Sequence, residues 1–145
     1  MTLATSPLVA YEPEWVDAIV TSEAIARRDA AYMSVVSAGL MEPERGTEDA
    51  IRLVLSLAEG TRFQQRMLDA NPHDPVTLGE FAFMLMLSHE VPGGVWYRLF
   101  PGPRYSVREL RARRIILEPG LPSHVVDGDR AFRIVTRLVA MEGEI

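Results

Sequence analysis

The sequence predicts a mainly α protein, and three observations carry that prediction. Apolar residues recur at three-to-four spacing over most of the chain, short polar caps precede several of these stretches, and strand patterns are few and short. Breakers fall between the periodic stretches, at Glu42-Pro43, Gly60, Asn71-Pro72, Pro92-Gly93-Gly94 and Pro119-Gly120.

Taken in order, Glu14 to Arg28 places Trp15, Ile19 and Ala26 on one helical face, and Asp29 to Leu40 continues with Tyr32, Val35 and Val36. Thr47, followed by Glu48 and Asp49, predicts an N-cap for a helix over AIRLVLSLAE. A short helix over 61–70 is closed by Asn71-Pro72. Thr77 with Glu80 three places on predicts a capping box for GEFAFMLMLSHE, which is apolar nearly all round and so predicted to be the most buried element. After a loop reaching Pro103, a helix from about Tyr105 to Arg114 sets Val107 and Leu110 opposite arginines, and AFRIVTRLVAME forms the last helix.

The chain of 145 residues suits a single domain and can bury roughly two-thirds of its unfolded surface. With 48% hydrophobic and 24% charged residues, it has the composition of a folded protein. The net charge of −5 argues against a nucleic-acid partner. That charge is uneven, however, because Arg98, Arg104, Arg108, Arg111, Arg113 and Arg114 face only Glu109 in their stretch. All cations are arginine, which excludes Schiff-base lysine chemistry, and the absence of cysteine excludes disulfides and thiolate sites. No stretch approaches the roughly 18 apolar residues of a membrane span, and MTLATSPLVA lacks the build of a signal peptide.

Internal repetition organises the chain further. LMEP (40–43) precedes DAIRLVLSLAEG, ILEP (116–119) precedes RAFRIVTRLVAMEG, and VTLGEFAFMLML (76–87) falls without a gap on VDGDRAFRIVTR (126–137). The pattern predicts three helix-loop-helix pseudo-repeats, at about 24–60, 61–92 and 93–143, sharing one core because no unit has enough apolar surface to stand alone. Such a core unfolds in one transition and brings Phe81, Met84, Phe132 and Val135 together.

The clearest unit runs from Glu90-Val91-Pro92 through Trp96-Tyr97, Val107-Arg108-Glu109-Leu110 and Ile115-Ile116 to the helix over Ala131–Val139. It resembles a degenerate S-layer homology (SLH) repeat, and the middle unit keeps Val76-Thr77-Leu78-Gly79-Glu80. The resemblance implies an SLH-like fold and non-enzymatic binding of cell-envelope polymer, commonly anionic wall polysaccharide, or of an envelope protein. At the family's cap-arginine position this sequence has Leu78, Gly128 and Glu48, with Arg130 two places late. The expected ligand face is Trp96, Tyr97, Arg98, Arg104, Arg108 and Arg130, where rings beside guanidinium groups suit carboxylated sugars. An exported chain whose signal has been removed would sit in the envelope, periplasm or extracellular space, and otherwise in the cytoplasm.

Other constellations carry less. DANPHDPVTLGE (69–80) resembles an EF-hand loop but has Asp74 where the sharp turn needs glycine, and two prolines stiffen it, so it reads as a turn before a capped helix. His73, His89 and His124 lack metal-ligand spacing, and the paired carboxylates Glu42/Glu44 and Glu48/Asp49 sit on polar turns. Neither metal nor cofactor is expected. A different class of function, an intracellular helical adaptor that receives a partner helix in an apolar groove, fits the same composition, and an enzyme using His124 ranks below both.

Overall fold

A computed structural model describes residues 11–143; the segment MTLATSPLVA, read above as lacking the build of a signal peptide, lies outside the described residues. The described backbone is mainly helical: α1 (Pro13–Val20), α2 (Arg27–Ser37), a 3₁₀ turn (Pro43–Arg45), α3 (Gly46–Leu57), α4 (Arg62–Asp69), α5 (Leu78–Ser88), α6 (Val95–Leu99), α7 (Pro103–Ala112) and α8 (Gly128–Gly143). Isolated bridges at Ala26–Pro75 and Thr77–Val125 are the extended pairings seen among these residues.

Local signals account for several boundaries. Pro13 and Pro103 open α1 and α7 at the position where a missing N–H costs nothing. Thr61 caps α4, its Oγ1 accepting from the Gln64 N–H at 3.2 Å. Thr77 and Glu80 form the expected capping box, with Glu80 N–H on Thr77 Oγ1 at 3.1 Å and Thr77 N–H on Glu80 Oε1 at 2.9 Å. Removing half of that box, Thr77→Ala should cost about 1 kcal/mol in urea unfolding with an unchanged slope. Equal midpoints for variant and wild type would show that the cap adds nothing.

Three expectations are corrected. The helix predicted over 14–28 breaks after Val20, because Ile25 leaves helical geometry to exchange backbone hydrogen bonds with remote segments: its N–H donates to Val126 O at 2.8 Å, and its carbonyl accepts from Val76 N–H at 2.9 Å. Thr47 is not an N-cap, since the 3₁₀ turn feeds straight into α3 at Gly46 and Arg45 takes the cap position. The loop read between Pro92 and Pro103 contains α6, a single turn too short to show periodicity.

Those remote bonds belong to a junction of three segments, 22–28, 72–79 and 121–128, each with a short extended centre that runs into a helix. Besides the Ile25 pairings, Arg27 N–H donates to Asp74 O at 2.9 Å, Leu78 N–H to His124 O at 2.7 Å and Gly128 N–H to Ser22 O at 2.9 Å. Every segment thus bonds to both others. Ile25, Val76 and Val126 are buried at its centre, and α2, α5 and α8 leave from it.

One core results. α5 is buried on nearly every face, from Leu78 through Met86, as its all-round apolar character predicts. Phe81, Met84, Phe132 and Val135 all belong to the same buried cluster. Tyr11, Trp15, Tyr32 and Phe132 cluster where α1, α2 and α8 meet, in tilted and edge-on contacts, with Trp15 and Tyr32 ring centres 4.6 Å apart, while Phe63 packs edge-on against Phe83 at 4.9 Å.

Candidate functional site

A groove of about 780 Å³ is bounded by α4, the start of α5, the α6–α7 turn and Pro122-Ser123 of the junction. Arg62 and Arg66, one helical turn apart on α4, line one side, and Phe100, Arg104 and Tyr105 line the other. Arg27, first residue of α2, reaches its floor: its Nε donates to Glu80 Oε2 at 3.2 Å and its Nη1 to Asn71 O at 3.4 Å. Four arginines stand against Asp69 and Glu80 in this lining, leaving a formal surplus of two positive charges (4 − 2).

The arginines are not equivalent. Arg27 is held by Glu80 and largely buried, whereas Arg62, Arg66 and Arg104 form no ion pair among the described residues. Arg104 instead lies over the Tyr105 ring, 5.7 Å from its centre, and Trp96 and Phe100 flank the same ring at 6.4 and 6.3 Å. Unpaired guanidinium groups beside aromatic faces suit a ligand that offers both a carboxylate or phosphate and a flat apolar surface.

The structure divides the sequence-predicted site residues. Trp96 and Arg104 meet around Tyr105, and Arg108 lies alongside in a shallow depression shared with Arg104 and Tyr105. Arg98 is exposed on α6, its Nε donating to Gly93 O at 3.2 Å. Tyr97 turns inward against Phe83 at 6.2 Å, and burial, reinforced by nearby Glu109, pushes its hydroxyl up to about 12. Arg130 is occupied elsewhere, donating to the carbonyls of Glu118 and Pro119 at 3.2 and 3.0 Å. Tyr97 and Arg130 therefore serve packing and loop anchoring, not the exposed face.

Sequence reasoning missed Arg27, Arg62, Arg66, Phe100 and Tyr105. The one local hint was the Arg62/Arg66 spacing around Phe63; what brings them to Arg104 is the junction, which no local pattern encodes.

A second constellation has the order of a nucleophile, base and acid. Ser37 Oγ lies 2.9 Å from His89 Nε2, and His89 Nδ1 hydrogen-bonds to Glu142 Oε1. Three features oppose hydrolytic chemistry. The Ser37 hydroxyl donates to Ser34 O at 3.0 Å, the serine closes α2 at its carbonyl end, where N–H donors for an oxyanion are lacking, and the His89 side chain is only 1% exposed. Burial holds His89 below its ordinary pKa, against the pull of Glu142. The chain ties together the C-terminal ends of α2, α5 and α8.

The EF-hand-like residues are likewise spent on structure. Asn71 Oδ1 accepts from the His73 N–H at 2.9 Å, and Thr77 and Glu80 form the capping box. No group of three or more acidic or histidine side chains is placed to hold a metal among the described residues. His124 Nδ1 accepts from the Leu121 N–H at 3.2 Å. No helix among the described residues is long and apolar enough to cross a membrane. Neither a family model, a curated protein nor a solved structure matches the chain.

Proposed function

We propose that the protein is a non-enzymatic binding module of the cell envelope that takes an anionic wall polysaccharide in the groove between α4 and α7. The observation that carries this reading is the meeting of unpaired Arg62, Arg66 and Arg104 with the exposed rings around Tyr105. A ring beside a guanidinium binds a carboxylated sugar by stacking and a charge-assisted hydrogen bond together, and neither needs a reacting group.

The three-way junction supports the SLH-like part of the proposal. Setting Ile25, Val76 and Val126 at one position aligns three extended entries, each leading into a helix that leaves the junction. In that register the first unit's cap position is Arg27, not Glu48, and the other two are Leu78 and Gly128. Leu78 is fully buried, and no side chain fits at 128. One of the three positions therefore keeps a cation, and it is the one that floors the groove.

Calorimetric titration with isolated anionic wall polysaccharide tests the proposal. Arg62→Ala/Arg66→Ala should weaken binding by roughly 30- to 100-fold, from about 1 kcal/mol or a little more per charge-assisted contact, and salt should weaken the wild type. Both side chains are exposed, so the melting temperature should barely move. Wild-type affinity in the double variant, or binding insensitive to salt, would remove the groove from consideration and favour an adaptor that receives a partner helix.

A further inference from the structure

α6 carries an apolar surface that meets the groove only at Phe100. Val95, Trp96, Leu99 and Phe100 are 66%, 53%, 62% and 58% exposed. Single exposed apolar residues are ordinary, but four contiguous large ones on one turn form a patch. Their spacing of i, i+1, i+4 and i+5 puts all four on one side of the turn, opposite Tyr97.

The turn is fastened from beneath. Tyr97 packs on Phe83, and it fits because a Cβ at Gly93 would stand 2.1 Å from its ring. Glu109 Oε1 accepts from the Gly94 N–H at 2.7 Å, and Arg113 donates to Pro92 O. These contacts hold the apolar side outward. Around it, Arg98, Arg104 and Arg108 form no ion pair among the described residues, and the nearest acid, Glu109, is spent on Gly94 and Arg113.

We propose that α6 docks the protein on an anionic phospholipid bilayer, with Val95, Trp96, Leu99 and Phe100 entering the headgroup–acyl boundary and the three arginines meeting lipid phosphates. A helical turn lying in the plane of the interface sends its apolar side chains into the headgroup–acyl boundary, roughly 5–10 Å deep. Tryptophan at the membrane surface and cations at the rim are the residue types that interface selects. A second copy of the chain fits less well, because a twofold contact through this patch would set arginine rims of like sign against each other. The inference does not rest on the polysaccharide groove, since Val95, Arg98, Leu99 and Arg108 lie outside its lining and only Phe100 and Arg104 border both.

Flotation with vesicles tests it. The full chain should float with phosphatidylcholine vesicles containing about one-third phosphatidylglycerol and far less with pure phosphatidylcholine. Trp96 emission, isolated from that of Trp15 as the difference between wild type and Trp96→Phe, should shift to the blue and be quenched by brominated lipid. Trp96→Ser/Leu99→Ser should lower partitioning by about tenfold or more, and Arg98→Glu/Arg108→Glu by about tenfold, with helical content unchanged. Val95→Ser/Leu99→Ser, which touches neither the groove lining nor the rings around Tyr105, should lose vesicle partitioning while its polysaccharide titration matches wild type, and vesicle binding of Arg62→Ala/Arg66→Ala should match wild type too, so either proposal can fail alone. Absence of flotation with anionic vesicles, unquenched Trp96 in floated protein, or a concentration-dependent dimer abolished by Trp96→Ser would overturn the membrane assignment.

Discussion

Gly128→Ala should destabilise the protein by about 3 kcal/mol or more, although it adds a single methyl group. A Cβ at 128 would stand 1.7 Å from the Ile19 carbonyl oxygen and 2.7 Å from its carbon, and both are backbone atoms at the end of α1. No rotamer change relieves such a clash. Either α1 moves off α8, or the junction loses the Gly128 N–H bond to Ser22 O. The first route pulls Trp15 from its edge-on contact with Phe132, 5.9 Å between ring centres, and from the 2.9 Å hydrogen bond its Nε1 donates to Asp29. Thermal and urea unfolding should show the loss, accompanied by a changed near-ultraviolet signal from the Trp15 cluster. Gly143→Ala, where nothing lies within 4 Å, is the matched control and should be neutral or slightly stabilising. If Gly128→Ala melts with wild type, the close approach of α1 to α8 is wrong.

That glycine also shows how far the sequence could be read. Position 128 lacks the arginine of the family pattern, and the structural reason is a backbone carbonyl contributed from more than a hundred residues away. Features encoded within one turn were legible: the Thr77/Glu80 box, the all-apolar α5 and the proline starts all follow from nearest neighbours. Those decided by remote hydrogen bonds were not. Trp15 to Ala26 has helical spacing throughout, yet Ile25 gives up helical geometry for Val76 and Val126. The aromatic-arginine stretch was visible as a composition, but its division into inward Tyr97 and outward Trp96 depends on Phe83 lying beneath α6. Half the groove has no local signature, because Arg27 and Arg62 lie far from Arg104 in sequence and meet it only in the folded chain.

Glu118→Gln should lower stability by about 2 kcal/mol near neutral pH, the second large effect. Glu118 sits in the long turn before α8 with its side chain 20% exposed, and Arg137 grips both carboxylate oxygens, at 2.7 and 3.1 Å. Arg130 and Arg133 add longer contacts at 3.9 and 4.0 Å. The hydrogen bonds from Arg137 hold the carboxyl down to about 2 from 4.5, against the opposing effect of burial. A folded-state value depressed in this way fixes the sign. The contribution is complete above about pH 4.5, where the unfolded chain is also ionised, and is lost as pH falls towards 2. Taken at face value that shift corresponds to roughly 3 kcal/mol, which solvent screening at a partly exposed pair reduces to about 2. Wild type should therefore lose stability between pH 4.5 and 2 more steeply than Glu118→Gln, and the two curves should converge at the acid end. At neutral pH the variant should melt roughly 5–10 °C lower. Arg137→Gln alone should cost a similar amount, and the double variant much less than the sum, because each single change strands the other partner. Parallel pH curves for variant and wild type would mean that the clasp leaves the turn before α8 unsecured, and that Arg111 and Arg130, through the backbone carbonyls of residues 118–120, hold it instead.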